Sequence, residues 1–193
     1  ILACLGIVIL ALAVRLNNGG WRTLYSRRIG GYAINYPADW SFDVFASGFH
    51  GDREQIALLW QELPFPVIEI RLKELDSPTL QSVATWGKHR IEEQYAAPAF
   101  QYESVSEQTV MLGQNTVFMR EYIIRAGGSP PLRKKDAYIS RSEDGLIITL
   151  TAWDNDHYEE LEALFDEIVA TFRTISTAVG WSRQPQFVFS LYS

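Results

Sequence analysis

Two periodicities succeed one another along this chain, and their order constrains the fold more than any other feature. In "YAINYPADWSFDV", Tyr32, Ile34 and Tyr36 fall on one face and Ala33 and Asn35 on the other. A period of two is that of a strand with one buried face. Pro37 has no N–H for a ladder and ends the strand. Ala38-Asp39 then make a turn, and Trp40, Phe42 and Val44 resume the alternation. "IALLWQ" (56–61) and "VIEIRL" (67–72) follow as a hairpin, split by a loop carrying Pro64 and Pro66. The period then changes. In "SPTLQSVATWGKHRIEEQY", Leu80, Val83, Ala84, Gly87, Ile91 and Tyr95 recur at helical spacing. Ser77 is the expected cap and Pro78 fits the first turn.

Strand periodicity returns twice. "FQYESVSEQTVMLGQNTVFMREYIIRA" reads as two strands around Gly113-Gln114-Asn115, and "KKDAYISRSEDGLIITLTAW" as a hairpin turning at Glu143-Asp144-Gly145. The last periodic segment is a helix. Tyr158, Leu161, Leu164, Phe165, Ile168, Val169 and Phe172 form its apolar face, and Asp156 and Glu159 make a capping-box-like pair at its start. No strand–helix–strand unit repeats. The order strands, helix, strands, helix therefore predicts an α+β fold, an antiparallel sheet sandwiched by helices, over residues 27–176.

Composition agrees with one such domain. The 193 residues are 47% hydrophobic and 21% charged, enough for a buried core. A net charge of -6 argues against the basic face that nucleic acid requires, so no nucleic-acid partner is expected. Cys4 is the sole cysteine, which excludes a disulfide framework and a thiolate metal site.

The ends read differently from the middle. "ILACLGIVILALAV" runs fourteen residues to the first charge, Arg15. A full bilayer span needs about 20 apolar residues, and the sequence begins at Ile rather than Met, so the N-terminus is expected to be incomplete. A cleaved signal peptide would want small residues at its cleavage site, which "NNGG" (17–20) does not offer. Lipidation at Cys4 would want a polar stretch after it, and an apolar one follows. An ordinary core helix also has this length. The reading adopted is a retained single transmembrane helix over residues 1–16, in contact with membrane lipid, and a linker over 17–26. The tail 177–193 is aromatic, with Trp181, Phe187, Phe189 and Tyr192 as candidate partner contacts. It reads as an extended arm, lying either on its own domain or on a partner.

The stretch "GYAINYPADW", an aromatic strand ending in Tyr36, Pro37 and Trp40, resembles the start of PsbP-like domains. That family takes its name from an extrinsic protein of the photosystem II oxygen-evolving centre. The resemblance covers about residues 24–176, including both later hairpins and the closing amphipathic helix. It implies an α/β sandwich around an antiparallel sheet and a non-enzymatic accessory, assembly or binding role outside the cytoplasm or in a thylakoid lumen.

Chemistry-bearing patterns are sparse. Asp154, Asp156 and His157 in "WDNDHYEE" are weak candidate metal ligands. Acidic residues at a helix start also serve its free N–H groups and dipole, which is the stronger reading. His50 lies in a polar loop and His89 on a solvated helix face. No nucleophile elbow, zinc-protease helix, phosphate loop or dinucleotide fingerprint occurs, so no catalytic residue and no cofactor are expected. "LRKKD" (132–136) is a short basic run that reads as a solvated strand end, or as a contact for acidic lipid or a partner.

The functional expectation is a non-enzymatic, membrane-anchored accessory subunit whose partners are integral membrane subunits of a larger complex, photosynthetic by family analogy. The alternative is a free-standing anchored domain that binds a small ligand or metal. Arg15, Arg22, Arg27 and Arg28 would place the domain in the cytoplasm by the positive-inside tendency. The resemblance implies the extracytoplasmic side, and that is the expected location.

Overall fold

The computed structural model describes residues 20–26, 31–47, 54–61, 64–76 and 78–175. The expected transmembrane helix (1–16) and aromatic arm (177–193) lie outside the described residues, as do Cys4, His50 and Ser77. Among the described residues, no helix is long and apolar enough to cross a membrane.

The strands are β1 (Trp21–Ser26), β2 (Tyr32–Pro37), β3 (Ser41–Ser47), β4 (Glu54–Trp60) and β5 (Val67–Glu74), then β6 (Phe100–Leu112), β7 (Asn115–Ala126), β8 (Leu132–Ser140), β9 (Asp144–Trp153) and β10 (Arg173–Thr174). Helix α1 (Leu80–Gln94) precedes β6 and helix α2 (Tyr158–Ala170) follows β9. They form a seven-stranded sheet in the order β3-β4-β5-β9-β8-β7-β6 and a three-stranded sheet in the order β1-β2-β10. Every ladder is antiparallel. The antiparallel sandwich expected from the order of periods is what forms.

The large sheet buries both faces. On one, Tyr138 and Ile147 pack with Val83 and Ala84 of α1. The helical stripe read from the sequence is the buried one: Val83, Ala84, Gly87 and Ile91 are buried, and Leu80 and Tyr95 pack at its margin. Gly87 is required there, because a Cβ on it would sit 2.0 Å from the Tyr138 ring. On the other face, Ala137, Ile139, Leu146, Ile148 and Leu150 share a core with Phe165, Ile168 and Val169 of α2 and with Tyr32, Ile34 and Tyr36 of the small sheet. Alternate residues of β8 and β9 thus serve different helices, as a period of two demands.

Tyr36, Pro37 and Trp40 form the corner between the two sheets. Pro37 is the last residue of β2 and pairs with Trp21. Trp40 N–H donates to the Pro37 carbonyl at 3.0 Å, and Tyr36 and Trp40 are both buried. The motif therefore turns the chain from one sheet into the other.

Several local expectations are corrected. Residues 21–26, read as linker, are strand β1: its backbone pairs with β2 and Leu24 enters the core. Helix α1 is capped by Thr79, whose side chain accepts from Ser82 N–H at 3.1 Å while Ser82 Oγ accepts from Thr79 N–H. Pro78 therefore precedes the cap. At α2 the cap position is His157, which makes no side-chain cap bond, so Asp156 and Glu159 do not form a capping box. The β8–β9 turn falls at Arg141–Glu143, because Asp144 is already in β9. The "LRKKD" run is not a solvated strand end. It lies in β8, paired on both sides, with Lys135 and Asp136 buried.

Candidate functional site

Among the described residues, strand β6 is an edge of the large sheet, thirteen residues long, and its side chains are exposed from Phe100 to Thr109. Among them are large apolar groups: Phe100, Tyr102 and Val105, with Met111 further on at 63% exposure. An edge strand presents a row of unpaired backbone donors and acceptors, and exposed apolar side chains beside that row make it a template for another strand. Its two acidic residues, Glu103 and Glu107, pair with Arg125 and Arg120 of β7. One irregularity interrupts it, a register shift at Val105 between Ser104 and Ser106. Such a bulge bends and twists the edge locally.

Behind this edge a polar row crosses the sheet under α1. Glu107 of β6 pairs in register with Arg120 of β7, Arg120 with Asp136 of β8, and Asp136 with Thr149 of β9. Arg120 Nε donates to Glu107 Oε1 at 2.7 Å and its Nη1 to the Tyr138 hydroxyl at 3.3 Å. The Tyr138 hydroxyl donates to Asp136 Oδ2 at 2.6 Å, and Tyr122 lies 3.5 Å from Oδ1. The Arg120 guanidinium rests over the Phe118 and Tyr138 rings. A fully connected network of this kind fixes register and rigidifies the strands that carry the edge.

Burial pushes the Asp136 carboxyl above its ordinary range, against the opposing hydrogen bonds from Tyr138 and Thr149. Burial also drives the Tyr138 and Tyr122 hydroxyls up, with Asp136 adding to it, so both stay protonated donors. A carboxyl raised in the folded state favours folding where it is protonated. That contribution is complete below the ordinary carboxylate value and is lost as pH rises through the raised one. Asp136→Asn cannot lose a proton. Its unfolding midpoint relative to the native protein is therefore expected to rise with pH across that window, as measured by thermal melts from acid to neutral pH. A constant difference would disprove the assignment.

Between α1 and strands β6 and β7 lies a cleft of about 310 Å³, lined by Gln81, Thr85 and Lys88 of the helix and by Glu107, Phe118 and Arg120 of the sheet. Arg120 already has Glu107, so the cleft offers a small polar site rather than a strong charge.

On the opposite face Lys135 is buried and donates to Glu162 Oε1 at 2.7 Å and Asp166 Oδ2 at 3.0 Å, which pins α2 to β8. Arg133 binds Glu121 Oε1 at 2.7 Å and lies over the Tyr158 ring. The candidate metal ligands do not converge. Asp154 faces Arg133 at 3.8 Å, while Asp156 and His157 are exposed at the start of α2. Among the described residues, no group of three or more His, Cys, Asp or Glu side chains could hold a metal ion. His89 is exposed beside Glu93, on the solvated face expected for it. Trp181, Phe187, Phe189 and Tyr192 lie outside the described residues.

Sequence reading found β6 as a strand but not its exposure. Its apolar residues do not alternate cleanly through Val105, and nothing local marks an edge. The polar row was illegible too, since its members come from four strands.

No family model and no curated protein matches the sequence. Solved structures do share the fold. Cyanobacterial PsbP (CyanoP) from Synechocystis sp. PCC 6803 superposes with a TM-score of 0.62 at 15% identity, covering 80% of this chain and 92% of that one. A protein of Bacteroides thetaiotaomicron gives 0.50 at 12% identity, over 78% of this chain and 47% of that one, so the chain spans about half of that protein. LpqN of Mycobacterium tuberculosis, titled as involved in cell envelope biogenesis, gives 0.49 at 16% identity, over 84% and 94%. The likeness to CyanoP, together with the two-sided antiparallel sandwich, makes the fold of this chain PsbP-like.

Proposed function

We propose that this chain is a non-enzymatic accessory domain, tethered by residues 1–16 on the extracytoplasmic side of a membrane, that docks onto integral membrane subunits of a larger complex through strand β6. The observation that carries the reading is that edge: a thirteen-residue strand with no outer neighbour among the described residues and with Phe100, Tyr102, Val105 and Met111 exposed along it. Strand addition would satisfy the backbone row and cover these side chains together. The fold it shares with cyanobacterial PsbP fits an accessory role, and the polar row beneath the edge is occupied internally rather than arranged for catalysis.

Gentle detergent extraction from native membranes, followed by a native gel, tests this. The chain is expected to co-migrate with a larger complex. Tyr102→Lys with Val105→Lys is expected to cut the co-migrating fraction at least about 10-fold, because lysine on an edge blocks strand pairing, while the unfolding midpoint stays nearly unchanged. Migration of the native chain alone, or a variant that still co-migrates, would refute the docking role. A second reading, binding of a small polar ligand, rests on the cleft beside Arg120. It would be favoured if the chain migrated alone and a Thr85→Trp substitution that fills the cleft displaced a bound small molecule.

A further inference from the structure

We propose that the cleft between α1 and strands β6 and β7 binds a small organic monocarboxylate that carries a hydroxyl beside its carboxylate. This rests on the second reading above, of the cleft as a ligand site, and names the ligand class. The docking reading is decided separately by the co-migration experiment.

The two walls follow from spacing and register. Gln81, Ala84, Thr85 and Lys88 stand at i, i+3, i+4 and i+7, so one face of α1 carries all four into the cleft. On the sheet, Glu107 pairs with Arg120, and Phe118 lies two residues before Arg120 on β7, hence on the same face. A volume of about 310 Å³ is near the small end for ligand pockets, which run from about 300 to 1,000 Å³.

The donors select an anion. Arg120 is the most deeply buried polar residue of the lining, with its side chain only 7% exposed. Its Nε donates to Glu107 and its Nη1 to Tyr138, while Nη2 makes no hydrogen bond among the described residues. Buried donors are rarely left in that state, and an acceptor arriving through the cleft would satisfy this one. Lys88 adds a second cation. Its ion pair with Glu92, at 3.9 Å, joins two side chains each more than 60% exposed, so it holds the ammonium weakly. Lys88 and Arg120 against Glu107 leave one net positive charge, which a single carboxylate neutralises. A dianion would place its second charge against Glu107.

The acceptors select the hydroxyl. Glu107 spends Oε1 on Arg120 and keeps Oε2 to accept. Thr85 Oγ1 donates to the Gln81 carbonyl at 2.9 Å, so it too faces the cleft as an acceptor. A carboxylate cannot donate to either oxygen, whereas a hydroxyl beside it can. Phe118 and Ala84 give the carbon skeleton an apolar surface, which an inorganic anion would leave wet.

The test is a titration of the purified full chain in detergent, followed by the backbone amide resonances. Three probes of similar size are compared: lactate, acetate, which lacks the hydroxyl, and lactamide, which lacks the charge. Lactate is expected to give saturable shifts confined to residues 81–88, 107 and 118–120. Acetate should bind at least about 3-fold more weakly and lactamide at least about 10-fold more weakly. Lys88→Gln should weaken lactate by about 5-fold, and Thr85→Trp should abolish the saturable shifts. Unchanged resonances in β8 and β9 report an intact fold in both variants. Absence of saturable shifts with lactate, shifts elsewhere, or an unchanged affinity in Lys88→Gln would overturn the proposal. Acetate equal to lactate would overturn the hydroxyl. Lactamide equal to lactate would strike the carboxylate class but keep the cleft as a ligand site. A small molecule that co-purifies with the chain and stays bound to Thr85→Trp would strike the cleft reading itself.

Discussion

Phe165→Ala is expected to cost about 3–5 kcal/mol and to lower the unfolding midpoint by about 10 °C. Phe165 is fully buried on α2, in the core that α2 shares with β8, β9 and the small sheet. With no exposed surface and no polar atom in its side chain, its removal takes away transfer energy and leaves a cavity between three layers. Around it the Lys135 bonds to Glu162 and Asp166 and the contact of Ala170 with the β6–β7 turn hold the helix in place, which limits collapse into the cavity. Scanning calorimetry measures the shift. A fall below about 3 °C, close to what an exposed position such as Glu167 gives, would show that α2 is not wedged as described.

Asp144→Ala is expected to be as damaging, by about 3–5 kcal/mol, for an electrostatic reason. Arg141 and Asp144 flank the β8–β9 turn, both almost fully buried, and join through Arg141 Nε and Nη2 at 2.5 Å each. Arg141 also donates to the Gly31 carbonyl and lies over the Phe172 ring, so the pair ties this turn to the start of β2 and the end of α2. Removing the carboxylate takes its charged partner from a guanidinium whose side chain is only 7% exposed. Removing both, as Arg141→Met with Asp144→Leu, removes the two buried charges together and is expected to recover more than half of the loss in urea unfolding. A double variant no better than the single would mean that Arg141 acts mainly through Gly31 and Phe172.

The two sites differ in how legible they were. Phe165 stands on a helical stripe with Leu161, Ile168, Val169 and Phe172, and periodicity alone places it inward. Arg141 and Asp144 sit in "SRSEDG", which reads as a polar turn, and only the approach of Gly31 and Phe172 from distant parts of the chain buries them. The same holds for Lys135 and Asp136 in "LRKKD". As a sequence they are a basic run. In β8, with β7 and β9 on either side and a helix on each face, one becomes a tie to α2 and the other the acceptor of the Tyr138 hydroxyl. Burial of a charge is settled by its partners, and these partners are distant in sequence.

By itself the sequence determined the alternation of strands and helices, the inward faces of both helices, the strand end at Pro37 with the turn after it, and hence an antiparallel sandwich. These follow from side-chain periodicity and from the missing N–H of proline, both local properties. Only the tertiary structure decided that residues 21–26 are a strand, that β5 lies beside β9, and that β6 is the last strand of the large sheet among the described residues. Which strands become neighbours depends on backbone pairing between segments far apart in the chain. Backbone N–H and C=O groups are nearly the same in every residue, so sequence alone does not show which of them remain free.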